Sequence, residues 1–276
     1  MGPALLEKNP IVPRMRASRT MWNDAAGYES YVGRWSRVVA PRFLAWLKLP
    51  PGLRWLDVGC GTGALTSTIL AHCNPEEVAG LDASDDYLAS ARSSCRNPRV
   101  CFVAGDASVL RFPSASFDVS VSGLVLNFVD ADRALAEQHR VVRPGGMIAA
   151  YVWDYSGEYE FARRFWDAAL SIDPRAAAYD PGRKATICSE QNLGEVLVAA
   201  GCAGVETCVL DNWGEFSSRE AYWHAFDGRQ GSTFEYLSLL TDEERLRLQT
   251  SVFSTMSPQG PIKLKIRALA VKGLRS

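Results

Sequence analysis

The sequence predicts an α/β fold in which short buried strands and helices alternate around a largely parallel sheet. An apolar run at residues 55–58 is followed at once by a glycine-rich turn and then by a helix-forming segment. Further strand-like runs follow at 78–82, 100–104 and 117–122. A chain of 276 residues can bury a substantial core, either as one large α/β domain or as a domain with an added lobe.

The turn after the first predicted strand reads Asp57-Val58-Gly59-Cys60-Gly61-Thr62-Gly63. Glycine lets a backbone turn tightly and come within contact distance of a ligand. The helix that follows offers unpaired N–H groups in its first turn. Strand, glycine turn and helix together therefore predict a nucleotide-cofactor site at the end of this strand.

Two cofactor types are compatible with this turn. Gly59-x-Gly61-x-x-Ala64 satisfies the dinucleotide fingerprint, in which a pyrophosphate binds the helix N-terminus. Asp57, however, precedes the first glycine, and a carboxylate there attracts a cationic amino group and repels a pyrophosphate. Asp57 could also act only as a helix cap, since aspartate is a favoured capping residue.

Three later strand ends carry polar residues. Asp82 ends the second predicted strand, 19 residues after Gly63, where an acid accepts ribose hydroxyls in either cofactor type. Asp106 follows the third strand, and Ser122 ends the fourth. Because ligands on open α/β sheets bind beyond the carboxyl ends of the strands, these side chains are expected at one common site. Each acid could instead be an ordinary turn residue.

The Asp-x-Gly-x-Gly-x-Gly turn at 57–63, followed by Asp82, Gly105-Asp106-Ala107 and Pro144-Gly145-Gly146, resembles the class I family of S-adenosylmethionine (SAM)-dependent methyltransferases. The resemblance is to the type 11 domain, and it is similar to small-molecule methyltransferases of the ubiquinone and menaquinone biosynthesis kind. It implies a Rossmann-like seven-stranded mixed sheet with an antiparallel last strand and helices on both faces. It also implies a helical N-terminal lid and a helical cap after the fifth strand.

The same resemblance assigns the cofactor contacts. The glycine loop would pack against the methionine part of SAM, Asp82 would hold the ribose, and Asp106 would accept a hydrogen bond from the adenine amino group. Arg34, in the lid, could pair with the cofactor carboxylate, since guanidinium groups bind carboxylates bidentately. Cys60 is expected to be a small packing residue that offers its backbone N–H. The predicted cofactor-binding residues are Asp57, Gly59, Cys60, Gly61, Gly63, Asp82, Ala83, Asp106, Ala107, Ser122, Tyr31 and Arg34.

We expect four parts along the chain. Residues 1–20 form a disordered extension, 21–49 the helical lid, 50–154 the SAM-binding core, and 155–276 the acceptor-side helices with the final strands. Within the last part, helices are predicted at 158–172 and 190–200, and strands at 205–213 and 262–271. An amphipathic helix whose aromatic side chains belong to the core is the alternative to a lid.

The predicted chemistry is an in-line displacement at an activated methyl group, in which positioning and exclusion of water supply much of the acceleration. His224 and Asp154 are the candidate general bases; His224 lies among aromatic residues that would suit a flat acceptor, but it could equally be a packed side chain. The expected acceptor is a small molecule that is partly apolar or aromatic. A SAM-binding protein without transfer activity and an NAD(P)-dependent oxidoreductase are the alternatives.

Composition excludes several other classes. The net charge is −1, so no overall field attracts nucleic acid. Seven cysteines without a Cys-x-x-Cys pair predict reduced thiols in a cytoplasmic protein, and the three histidines lack metal-ligand spacing. Lys263, Lys265 and Arg267 alternate as on the solvated face of a strand, which disfavours a phosphate-binding stripe. No membrane span is predicted, and the sequence leaves the acceptor and the oligomeric state open.

Overall fold

The computed structural model describes residues 34–184, 186–228 and 231–276. These residues contain one seven-stranded sheet with the order β3-β2-β1-β4-β5-β7-β6. Strands β1 to β5 are parallel, and β7 runs antiparallel between β5 and β6. The predicted mixed sheet with a reversed last strand is confirmed. The strands are β1 (Arg54–Val58), β2 (Glu77–Asp82), β3 (Val100–Ala104), β4 (Phe117–Gly123), β5 (Val142–Trp153), β6 (Cys202–Phe216) and β7 (Ile262–Arg275).

Helices connect the strands and cover both faces of the sheet. Several of them begin at a side-chain cap; Ser189, for example, accepts the Asn192 N–H at the start of the predicted 190–200 helix. That helix ends before Gly201, which has a φ of 88°. The helices are α1 (Arg34–Leu47), α2 (Ala64–His72), α3 (Asp85–Ser94), α4 (Ala131–Val141), α5 (Glu160–Ile172), α6 (Pro181–Lys184), α7 (Glu190–Ala199), α8 (Arg219–His224), α9 (Gly231–Ser238) and α10 (Asp242–Ser254), with a 3-10 helix at Pro174–Ala178.

The described part of the predicted lid belongs to the hydrophobic core. Helix α1 packs on the sheet, and the ring centroids of Phe43 and Tyr151 are 4.8 Å apart. Val39 and Phe43 are fully buried. Residues 1–33, including Tyr31 and the predicted extension at 1–20, lie outside the described residues. Arg34 begins α1, but its side chain also lies outside the described part of the chain.

The final two strands extend beyond β5 as a two-stranded ribbon. Residues 262–267 of β7 pair with β6, while the pairing with β5 covers 268–274. On this ribbon Arg267 donates to Asp211 at 2.7 Å, and both Arg267 and Lys265 form ion pairs with Glu158. These ion pairs connect the β5–α5 turn to the ribbon. Lys265 and Arg267, two of the three alternating basic residues, are therefore paired with carboxylates and do not form a phosphate-binding stripe.

Gly145 and Gly146, predicted in the turn before the fifth strand, lie within β5 and supply a test of the fold. A Cβ added at Gly146 would lie 2.5 Å from the backbone oxygen of Asp118, whereas a Cβ at Gly145 would meet nothing within 4 Å. Gly145 has a φ of 74°, so alanine there would have an unfavourable backbone conformation but no steric overlap. We expect Gly146→Ala to lower the free energy of unfolding by about 3 kcal/mol, and Gly145→Ala by about 1 kcal/mol. Urea unfolding of both variants checks this, and equal losses would contradict the close approach at Gly146.

Candidate functional site

The glycine loop after β1 is held by backbone hydrogen bonds to β2. The N–H groups of Gly59 and Cys60 both donate to the Leu81 oxygen, at 2.7 and 2.9 Å. The Gly61 N–H donates to the Asp82 carboxylate at 2.9 Å. The Gly63 N–H donates within the loop, to Cys60. The predicted free N–H of Cys60 is therefore already used inside the protein.

The glycines serve different purposes in this loop. Gly59, Gly61 and Gly63 have φ values of 73°, 53° and 85°, a region that favours glycine. A Cβ at Gly59 would overlap the side chain of Val125, so Gly59 is required by packing. A Cβ at Gly61 would meet nothing within 4 Å. The open side of the loop, where a ligand can approach the backbone, is therefore at Gly61.

Asp57 lies beneath the loop at the N-terminus of α2. Its side chain is fully buried and accepts a 2.6 Å hydrogen bond from the Thr66 hydroxyl. The Thr66 N–H, in the first turn of α2, also donates to it. Its second oxygen, Oδ1, has no hydrogen-bond partner among the described residues. A carboxylate thus occupies the helix N-terminus where a dinucleotide pyrophosphate would have to bind.

Burial makes the two strand-end carboxylates difficult to ionise. Desolvation raises the pKa of Asp57 to about 7 against the opposing hydrogen bonds from Thr66, and the charge of Asp82 adds a smaller increase. Desolvation also raises the pKa of Asp82, against N–H bonds from Ser84 and Gly61. Both groups would therefore be stabilised in their ionised form by a cationic ligand.

Asp82 joins the glycine loop to the start of α3. Its Oδ2 accepts the Gly61 N–H, and its Oδ1 accepts the Ser84 N–H at 2.8 Å. The Ala83 N–H also donates to this carboxylate. With three N–H donors on about four lone-pair positions, Asp82 can still accept a hydrogen bond from a ligand hydroxyl without losing its backbone contacts.

A pocket of about 680 Å³ opens at the carboxyl ends of β2 and β3. This volume lies within the range typical of small-molecule sites. Asp106 is exposed on its wall and accepts the Ser108 N–H at 2.8 Å, while Ala107 is buried behind it. The lining residues are Ala83, Ser84, Asp85, Asp86, Ala104, Gly105, Asp106, Val109 and Arg111.

Two of these lining residues, Ala83 and Asp106, were predicted from the sequence, and the others were not. Ser84 could have been predicted, because a serine directly before a helix is a favoured N-cap. Val109 and Arg111 carried none, because loop residues without a motif have no periodic pattern that predicts their direction.

Ser122 lies at the end of β4, fully buried, and its hydroxyl has no partner among the described residues. Ser120, two residues earlier on the same strand face, donates to Gln138 of α4 at 3.0 Å. The Ser122 side chain therefore faces α4. The structure also brings Cys188 to this end of the sheet, where its sulfur lies 3.2 Å from the Trp153 oxygen.

The two candidate bases occupy unlike environments. Asp154 is buried directly after β5, and its carboxylate accepts the Glu158 N–H at 2.8 Å and lies against Gly157. The Asp154 side chain therefore stabilises the turn between β5 and α5. His224 is 72% exposed in its side chain, and its Nδ1 lies 2.8 Å from Asp227. The aromatic residues around His224 in the sequence, such as Phe226, are themselves buried in the core. The structure therefore pairs His224 with Asp227 and not with the acids at the strand ends.

Two further properties concern the described residues only. Among them, no helix combines the length and the apolar character needed to cross a membrane. Across the same ranges, no group of three or more His, Cys, Asp or Glu side chains is placed to hold a metal ion.

Several known proteins are similar to this chain in sequence. A family model described as a methyltransferase domain matches residues 56–150. The demethylmenaquinone methyltransferase of Roseiflexus sp. (strain RS-1) is 30% identical over 171 residues, which are 58% of this chain and 72% of that protein. The malonyl-(acyl-carrier protein) O-methyltransferase of Herminiimonas arsenicoxydans is 28% identical over 204 residues, 74% of this chain and 72% of that protein.

A solved structure agrees in fold. Phosphoethanolamine N-methyltransferase 2 of Haemonchus contortus, in complex with phosphomonomethylethanolamine and S-adenosylhomocysteine, has a TM-score of 0.59 to this chain at 17% identity. The likeness covers 96% of this chain and 61% of that chain. With the sheet order, the domain match and the relatives taken together, the chain belongs to the class I family of SAM-dependent methyltransferases, of the ubiquinone and menaquinone type, which transfer a methyl group to small-molecule acceptors.

Proposed function

We propose that this methyltransferase binds SAM at Asp82, the glycine loop and the pocket beside Asp106. We also propose that it methylates a partly apolar or aromatic acceptor. The observation that carries the proposal is the position of Asp82, whose two oxygens accept the N–H groups of Gly61 in the glycine loop and of Ser84, a residue that lines the pocket. The ribose of SAM binds Asp82, the adenine enters the pocket beside Ala83 and Asp106, and the methionine part crosses the open side of Gly61. Bound SAM supplies a methyl group that is already activated on a sulfonium.

Charge favours SAM over a nicotinamide dinucleotide. Asp57 and Asp82 lie under and beside the glycine loop, and Asp85, Asp86 and Asp106 line the pocket with one cation, Arg111. A surplus of carboxylates attracts the sulfonium and ammonium groups of SAM and repels a pyrophosphate. The N–H groups of Gly59, Cys60 and Gly61, which a pyrophosphate could otherwise use, already donate to Leu81 and Asp82 of β2. These contacts favour SAM over the oxidoreductase alternative.

The proposed acceptor is partly apolar or aromatic. Trp153, at the end of β5, stacks on Tyr159 with centroids 4.6 Å apart, and Tyr155 meets Tyr159 edge-on at 5.6 Å. Buried aromatic rings at the end of β5 support an acceptor that has a ring or an apolar chain. The relatives act on demethylmenaquinone and on malonyl-(acyl-carrier protein). An acceptor of the first kind fits these surroundings better.

Positioning is the chain's proposed contribution to the transfer step. Asp154 has its carboxylate in a turn, and His224 is paired with Asp227 at the surface. Neither arrangement favours a general base. Orientation of donor and acceptor and exclusion of water are sufficient for a displacement at an activated methyl group when the acceptor is itself nucleophilic.

A cytoplasmic location is also part of the proposal. All seven cysteines are free thiols, and they are Cys60, Cys73, Cys95, Cys101, Cys188, Cys202 and Cys208. Free thiols in this number support a reducing compartment.

The first prediction concerns the cofactor. Calorimetric titration should show that the wild type binds SAM and S-adenosylhomocysteine but not NADH. Asp82→Ala should weaken binding by at least about 100-fold, because it removes a hydrogen bond to a charged group and the anchor of Gly61. Asp85→Ala is the matched control, since it removes a carboxylate from the same pocket and leaves Gly61 anchored. Binding of NADH without SAM would overturn the proposal.

The second prediction concerns the acceptor. Formation of S-adenosylhomocysteine should be detected with quinol or phenolic acceptors that carry an apolar chain, and be weak with hydrophilic acids of similar size. The aromatic surroundings of Trp153 are the reason. Turnover with hydrophilic acids alone would contradict the proposed acceptor class, while SAM binding without turnover on any acceptor would favour a binding protein that does not transfer.

The third prediction uses the pKa of Asp57. Since this pKa lies at about 7 in the folded protein and at 3.8 ordinarily, the folded state binds the proton more tightly, and stability falls as the pH rises from about 4 to about 7. Asp57→Asn removes the cost of a buried charge, so it should raise the free energy of unfolding at pH 8 by up to ~4 kcal/mol. The gain should shrink towards pH 5.

The same variant should bind SAM about tenfold more weakly, because the attraction between a carboxylate and a cationic ligand is lost. Urea unfolding at pH 5 and pH 8, together with calorimetry, measures both effects. Glu76→Gln, at an exposed position, is the control and should change neither. A variant that is less stable at pH 8, or that binds SAM as the wild type does, would refute the proposed role of Asp57.

A further inference from the structure

Two charged residues of α4 contact the loop that joins β3 to β4. We propose that Glu137 and Arg140 are positioning residues that hold the adenine side of the cofactor pocket in shape. Neither residue lines the pocket, so they act through the loop. The inference rests on the proposed function, because it takes this pocket to be the adenine site.

The contacts form a clamp on the loop backbone. Arg140 donates from Nη2 to the Leu110 oxygen at 2.7 Å and from Nη1 to the Phe112 oxygen at 2.9 Å. Glu137 Oε2 accepts the Leu110 N–H at 2.8 Å. The two side chains also bind each other at two points, Nε to Oε1 at 2.7 Å and Nη2 to Oε2 at 2.8 Å. One ion pair thus satisfies three backbone groups within three residues.

The clamped residues alternate with residues that line the pocket. Leu110 is 3% exposed, and the Phe112 ring packs edge-on against Phe117 at 5.1 Å. Val109 and Arg111, the immediate neighbours of Leu110, line the pocket. Because the backbone is held at 110 and 112, the side chains at 109 and 111 are directed to the other side.

The loop between β3 and β4 has little regular structure of its own that could hold the side chains at 109 and 111 in place. Between the end of β3 and the start of β4, its one backbone bridge in the described residues joins Asp106 and Val109. A loop of this length without a strand ladder has many conformations, and each must be suppressed for the pocket to keep its shape. Hydrogen bonds from charged groups are stronger than neutral ones, so the clamp is well suited to that task.

The geometry needs arginine in particular. Its planar fork reaches two carbonyl oxygens and a carboxylate together, whereas the lysine ammonium is a single point of charge. Arg140 holds the pKa of Glu137 below its ordinary value, so the carboxylate stays ionised and paired at neutral pH. Arg140→Lys therefore keeps the charge and loses the clamp.

The test measures cofactor affinity apart from turnover. We expect Arg140→Lys to raise the Kd for S-adenosylhomocysteine and the KM for SAM about tenfold, with kcat changed by less than about twofold. Glu137→Gln should act in the same direction and serves if the first variant folds poorly. Arg133→Lys, an exposed arginine on the same helix, is the matched control and should leave all three values unchanged.

A base-specific readout separates positioning from a general loss of stability. The wild type should prefer S-adenosylhomocysteine to S-inosylhomocysteine, in which the adenine amino group is absent, and Arg140→Lys should reduce that preference. The effects of Arg140→Lys and Asp106→Ala on Kd should be less than additive, since both disturb the same contact.

The outcomes distinguish the two proposals. If the wild type binds S-adenosylhomocysteine and Arg140→Lys binds it equally well, or if the two homocysteine ligands lose affinity equally, the clamp is refuted and the proposed function stands. If the wild type binds neither SAM nor S-adenosylhomocysteine, the proposed function fails and this inference fails with it.

Discussion

The hydrogen bond from the Gly61 N–H to the Asp82 carboxylate is the contact on which the proposed cofactor site depends. It connects the glycine loop after β1 to the end of β2, and the other oxygen of Asp82 holds the start of α3 through Ser84. Two loops and a helix are therefore placed relative to one another by one partly buried side chain. Because this carboxylate can accept a further hydrogen bond, the residue that organises the proposed site can also bind a ligand.

Electrostatics gives the site its selectivity. Asp57 occupies the N-terminus of α2 through Thr66, so the position that attracts phosphates in dinucleotide-binding proteins already holds a negative charge. The cost of burying this charge is visible in the raised pKa values of Asp57 and Asp82. A cationic ligand offsets that cost on binding, whereas an anionic one would increase it. The desolvation free energy of Asp57 therefore couples the stability of the protein to pH and to the proposed binding of a cationic cofactor.

Much of the fold could be predicted from local patterns. The glycine turn after β1 and the acid at the end of β2 follow from local sequence patterns, and the structure has them at the predicted ends of the strands. The predicted turn at 144–146 is instead part of β5. The location of the predicted lid helix could not be predicted in the same way. A helix rich in aromatic residues has the same sequence pattern whether it covers a site or packs on a sheet. For residues 34–47 the structure shows packing on the sheet. Lys265 and Arg267 alternate as a solvated strand would, yet their partners Glu158 and Asp211 lie far away in sequence.

By itself, the sequence predicted an α/β fold with a largely parallel sheet and the position of the glycine loop, since these follow from the strand-like runs and the glycine spacing. The family and the reversed last strand were predicted from the resemblance of the ordered motifs to known methyltransferases. Only the tertiary structure decided how those residues are used. It assigned the loop N–H groups to Leu81 and Asp82, paired His224 with Asp227, and set Glu137 and Arg140 against the loop at 110–112. The physical reason is that a hydrogen bond or an ion pair depends on distances between residues that the chain brings together only when the whole sheet has formed.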